Sequence, residues 1–345
     1  MKHGKTIAAT LLMGIFLLDA SAEQAKKAKV FILLGQSNMV GMGEISGDKG
    51  ESLEKAVKTE KLYPYLVDAS GNWAERNDVR YVQVMVGKSG GMNVLHNEAL
   101  KVGKGKMGIE FGLGHELGEA IEEPVLILKS CIGNRALGWD LLPPGSKGYE
   151  FTSKDKTGKE VTYVHPGYKE SPEQWEKGTE PKPIAWYAGK QYDDDVGNAK
   201  KVLSELNTYF PGVSGYEVVG FLWWQGERDC GSDAHSAHYE ENLVAVIKSL
   251  RKDFDAPNAK FVIATLGEAT KGGGGNTEMV MNAHMAVDGK TGKYPEFKGN
   301  VATVYTHDMA RGGSGNGHYG GNAKVYMDVG EAMGKAMAEL LVKSP

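Results

Sequence analysis

Apolar residues along this chain gather into five short runs rich in β-branched side chains, at residues 29–34, 124–129, 216–224, 260–266 and 300–305. Runs of that length, ending in glycine or polar residues, predict buried strands. Between them the period changes. In HSAHYEENLVAVIKSLRKDF, residues 235–254, the apolar Tyr239, Leu243, Val246, Ile247, Leu250 and Phe254 recur at helical spacing and predict an amphipathic helix. Weaker patterns of the same kind cover residues 111–121, 199–210, 277–287 and 323–342. Strands alternating with helices imply right-handed crossovers, hence an α/β protein with a parallel sheet and helices on both faces. Two stretches break the alternation, near 44–106 and 140–190, the second polar and rich in Gly, Pro and Lys. Both are read as insertions into one domain.

The N-terminus follows another pattern. MKHGKTIAATLLMGIFLLDASA carries Lys2 and Lys5, an apolar run over residues 7–18, and then Ala20-Ser21-Ala22. This predicts a secretory signal peptide over residues 1–22, cleaved near Ala22, with a mature domain over 23–345 that is secreted or periplasmic. The run is shorter than the ~20 apolar residues a membrane span needs. A formal charge of −4 gives no reason to expect a nucleic-acid partner. Cys131 and Cys230 are too few for a disulfide scaffold, although an oxidising compartment leaves one bridge open.

In open parallel sheets ligands bind beyond the carboxyl ends of the strands. The five loops there read GQSNM at 35–39, KSCIGN at 129–134, WWQGERD at 223–229, GE at 267–268, and THD at 306–308 leading to SGNGHYGG at 314–321. Ser37 is read either as a nucleophile displayed at a strand end or as a helix cap. Gly133 is either an oxyanion-binding backbone N–H or an ordinary turn glycine. Gln225, directly after four apolar residues, offers a side-chain amide as a further oxyanion donor, the loss of which would lower turnover by about 10²–10³-fold. His318 is placed to shuttle a proton near neutral pH. No HExxH or comparable spacing points to a metal, and no cofactor is expected.

GQSNM at 35–39, WWQGERD at 223–229 and GHYGGNAKVYMDVGEAMGKAM at 317–337 resemble the SGNH hydrolase superfamily, and within it the sialate O-acetylesterase-like and carbohydrate esterase family six group. KSCIGNRALGWDLLPPGS at 129–146 and WYAGKQYDDDVGNAKKVL at 186–203 are softer matches. The resemblance implies a three-layer α/β/α sandwich of the flavodoxin-like kind with a five-stranded parallel sheet. It also implies hydrolysis of acetyl esters on sugars without a cofactor. Carried over, Ser37 is the nucleophile and first oxyanion N–H, Gly133 the second donor, Gln225 stands where the superfamily usually has asparagine, and His318 is the base. The family's aspartate three residues before the histidine is Gly315 here. Glu227 is the first candidate to orient His318 in its place, with Asp229 and Asp308 behind it. A Cys131–Cys230 bridge would pin Gly133 against Gln225.

The expected activity is therefore a secreted serine esterase acting through an acyl-enzyme on an acetylated oligo- or polysaccharide. Tyr63, Tyr65, Trp73, Trp139, Trp175, Trp186 and Tyr187, in or beside the insertions, are candidates for stacking on sugar rings. Gly315 keeps open a catalytically weak or inactive glycan-binding protein on the same fold. An esterase for another acylated glycan is the remaining alternative.

Overall fold

The computed structural model describes Met1 and residues 25–47 and 51–342. Apart from Met1, the predicted signal peptide lies outside the described residues. Seven strands form the main sheet: β1 Ala28–Gly35, β2 Glu75–Val86, β3 Met92–Lys101, β4 Val125–Ser130, β5 Tyr216–Trp224, β6 Lys260–Ala264 and β7 Val301–Val304. Their spatial order is β7-β6-β5-β1-β4-β2-β3. All neighbours run parallel except β2 and β3, which pair antiparallel.

The five apolar runs are β1, β4, β5, β6 and β7. They lack polar alternation because both of their faces are buried. In β1, Val30, Ile32 and Leu34 enter one hydrophobic cluster while Phe31 and Leu33 enter another, following the two-residue period of a strand. The first cluster is closed by α2 Lys190–Ser204, α3 Asp233–Asp253 and α4 Gly275–Ala286. The second is closed by α1 Glu110–Ala120 and α5 Ala323–Val342. Helix α3 starts where Ser232 accepts the N–H of His235, and it ends with Arg251 and Lys252 in its last turn.

The predicted five-stranded parallel sheet is thus a seven-stranded mixed one, and the first insertion supplies the difference. ERNDVRYVQVMV opens with charged and polar residues, which hides β2, yet Val79, Tyr81, Val82 and Val84 are buried and the strand pairs with β4 from Val79–Val125 onward. β3 is the sheet edge, and an edge strand half in solvent carries no long apolar run. Within the second insertion, Tyr149–Lys154, Glu160–His165 and Trp175–Glu176 form a small antiparallel sheet. Among the described residues no helix is long and apolar enough to cross a membrane.

Strand β1 sits between β4 and β5. The loops that follow these three strands therefore leave the sheet side by side, which brings GQSNM, KSCIGN and WWQGERD together.

Candidate active site

At the end of β1, Gly35 has φ +152°, and a Cβ there would lie 2.2 Å from the carbonyl oxygen of Trp224 in β5. Only glycine lets the two strand ends approach this closely. The chain then enters a single helical turn, Ser37–Val40. Ser37 Oγ is 2.9 Å from His318 Nε2, although the two residues are 281 positions apart. His318 and the following Tyr319 both adopt left-handed backbone, with φ of +54° and +52°, a conformation that non-glycine residues hold only when their surroundings enforce it. Tyr319 does the enforcing. Its ring is buried against Trp224, and its hydroxyl accepts the N–H of Gly267 at 3.2 Å.

Gly133 lies directly behind the serine, where an added Cβ would be 3.3 Å from Ser37 Cβ. Among the described residues, the N–H groups of Ser37 and Gly133 donate to no protein acceptor. Beneath them Lys129, fully buried at the end of β4, donates to Glu110 Oε2 at 2.6 Å and to the carbonyl of Val40 at 3.1 Å. This ion pair ties the Ser37 turn to β4 and α1, so the two N–H groups sit on a braced platform.

Gln36 and Asn38 link the Ser37 turn to the other loops. Gln36 Nε2 donates to Glu227 Oε2 at 2.7 Å, and Asn38 Nδ2 donates to Glu227 Oε1 at 2.5 Å and to the carbonyl of Gly315 at 3.0 Å. Asn38 Oδ1 accepts the hydroxyl of Tyr326. Burial, with Glu268 close by, lifts the Glu227 carboxyl to about 7. Glu268, which the sequence reading did not single out, accepts the N–H of Gly315 at 2.9 Å. Its position in the loop after β6 was the one available clue to it.

Several expected placements differ from this geometry. The Gln225 amide nitrogen donates to Arg135 O at 2.8 Å and Asp229 Oδ2 at 2.6 Å, with Gln36 Oε1 also in reach at 3.3 Å. An amide has two hydrogens, so none remains for an oxyanion. Glu227 accepts from Gln36 and Asn38 and makes no hydrogen bond to His318. Asp229, lifted by burial to about 6, accepts the N–H groups of Leu137 and Gly138 and the Gln225 amide, so it braces the loop after β4 and not the histidine. Asp308 is exposed and makes no hydrogen bond to His318. Cys131 and Cys230 are unbridged thiols, because Cys131 packs into the core on one face of the sheet and Cys230 against the core on the other. Burial pushes the Cys230 thiol up to about 12 and the Cys131 thiol higher still.

Of the aromatic candidates, Trp139 is buried with Ala136, Leu142 and Ala188, and Trp186 lies under the Arg135 guanidinium at 4.6 Å. Tyr63 and Tyr65 are tied through their hydroxyls to Asp328 and Glu331 of α5. No group of three or more His, Cys, Asp or Glu side chains among the described residues could hold a metal ion.

Comparison with solved structures gives 13% identity and a TM-score of 0.50 to NanS, covering 93% of this chain and 99% of that one. A carbohydrate acetylesterase from Xanthomonas citri is matched at 14% identity and a TM-score of 0.49, over 92% of this chain and 57% of that one. A protein from Arabidopsis thaliana is matched at 15% identity and a TM-score of 0.47, over 90% and 98%. At such identities the likeness to NanS speaks for the fold alone. No curated protein matches the chain by sequence. A family profile described as carbohydrate esterase, sialic acid-specific acetylesterase matches residues 164–339. That match spans more than half of the chain and includes the β5 loop and the His318 turn, and on it the chain belongs to the sialic acid-specific acetylesterase family of carbohydrate esterases, which are carboxylic ester hydrolases.

Proposed function

We propose that the protein removes O-acetyl groups from carbohydrates by a serine–histidine double displacement. The 2.9 Å contact between Ser37 Oγ and His318 Nε2 carries this reading. His318 takes the hydroxyl proton as Ser37 Oγ attacks the acetyl carbonyl, and the oxyanion rests on the N–H groups of Ser37 and Gly133. The imidazolium returns the proton to the departing sugar hydroxyl. Water, deprotonated by His318 in turn, attacks the acyl-serine and frees acetate and Ser37. Backbone donors suit this task because they are already fixed and need no reorganisation as charge develops.

The family membership favours an acetylated sugar, with O-acetylated sialic acid as the first substrate to try. The predicted signal peptide suggests that the enzyme meets it outside the cytoplasm. Release of p-nitrophenol from p-nitrophenyl acetate by wild type and Ser37→Ala tests the chemistry, with a fall of about 10⁴-fold or more expected in the variant. Equal rates would sink the esterase assignment and leave the glycan-binding alternative, for which Gly315 speaks. Acetate release from O-acetylated sialic acid, compared with acetylated xylan, then identifies the sugar.

A further inference from the structure

Where the resemblance places an aspartate three residues before the histidine, this chain has Gly315. Backbone conformation does not require glycine there, because Gly315 is not among the residues with positive φ. Space does. A Cβ at Gly315 would lie 2.5 Å from Glu268 Oε2 and 2.9 Å from Glu227 Oε1, closer than non-bonded atoms pack. Two carboxylates, from the loops after β5 and β6, occupy the volume that an aspartate side chain at 315 would need.

They are not equivalent. Both oxygens of Glu227 are held by the amides of Gln36 and Asn38. Glu268 is half-buried and anchored through Oε2 on the N–H of Gly315, while among the described residues its Oε1 accepts from no protein donor. The N–H of His318 closes the same turn onto the carbonyl of Gly315 at 2.9 Å. With Nε2 on Ser37, the Nδ1 of His318 has no protein partner among the described residues. A histidine that takes a proton at Nε2 needs its Nδ1–H held, both to fix the tautomer and to stabilise the imidazolium that forms. Two close carboxylates share their charge unequally, and the more buried one is the better place for a proton. Glu268 stands at the edge of the His318 turn.

We propose that Glu268 is the positioning residue for His318, a carboxylate delivered from the β6 loop in place of the aspartate absent at 315. By a side-chain rotation it accepts Nδ1–H of His318 as Nε2 takes the Ser37 proton. The proposal rests on the Ser37–His318 reading given above.

The test measures kcat and KM on p-nitrophenyl acetate from about pH 5 to pH 9 for the full chain and its variants, each checked by thermal melting. Glu268→Gln should lower kcat by about 10²–10⁴-fold with KM little changed. A neighbouring negative charge favours imidazolium, so its removal should also move the acid limb of the profile about one pH unit lower. Glu268→Asp should keep the wild-type limb. A wild-type kcat and limb in Glu268→Gln, or both effects appearing in Glu227→Gln instead, would overturn the proposal. Ser37→Ala in the same series separates the two levels: an inactive serine variant beside an unchanged Glu268→Gln refutes only the role of Glu268, whereas an active serine variant refutes both.

Discussion

Glu227 and Asp229 stand two residues apart in the loop after β5, both buried and both with carboxyls lifted above the usual range. Their partners nonetheless divide the rim into two regions. Asp229 is held by two backbone N–H groups and the Gln225 amide, and through them it fixes residues 135–138. Glu227 is held by the two side-chain amides that flank Ser37 and faces a second carboxylate across Gly315. Burial alone therefore does not mark a carboxylate as chemical. What distinguishes the pair is their partners: the N–H groups of Leu137 and Gly138 and the Gln225 amide tie Asp229 into the scaffold, while Glu227 joins the amides beside Ser37 to the His318 turn.

The division predicts how each side responds when its carboxylate or amide is removed. The largest effect is expected from Asp229→Ala, which strands two backbone N–H groups and an amide and should cost about 4 kcal/mol of stability. Urea unfolding measures it, and a loss below about 1 kcal/mol would mean that Asp229 is not a scaffold residue. Next comes Glu227→Gln. The Glu227 carboxyl is raised from 4.5 to about 7, so its protonated form favours the folded state; its contribution is full below about pH 4.5 and is lost as pH rises through about 7. A glutamine stays neutral, so the variant should gain on wild type across that window by about 3 kcal/mol. Thermal melts at both ends of the window check this, and parallel curves would mean that Glu227 does not change its protonation on folding. Gln225→Ala should be the mildest, about 2 kcal/mol of stability from the acceptors it leaves unpaired, with turnover per folded molecule largely kept. A variant of normal stability that turns over 10²-fold more slowly would return Gln225 to the oxyanion site.

Much of this architecture was legible before any coordinates. The five doubly buried strands announced themselves because nothing polar interrupts them, and the strand-end loops followed from parallel topology. The same reasoning passed over β2, since Glu75, Arg76, Asn77 and Asp78 open it with a polar stretch, and β3, since a sheet edge is half in solvent. It also assigned Gln225 to the reacting carbonyl, because a glutamine after four apolar residues looks as though it must point at something. It does, but at Arg135 and Asp229.

Sequence by itself determined the alternation of elements, the parallel centre of the sheet and the loops in which chemistry had to lie, because burial along one segment leaves a periodic trace in that segment. Tertiary structure decided which donor meets which acceptor: that His318 reaches Ser37, that Gln225 braces a loop, and that Glu268 fills the space beside Gly315. Such pairings depend on the relative placement of segments far apart in the chain, and a side chain's hydrogen-bonding capacity is the same whichever partner the fold brings to it.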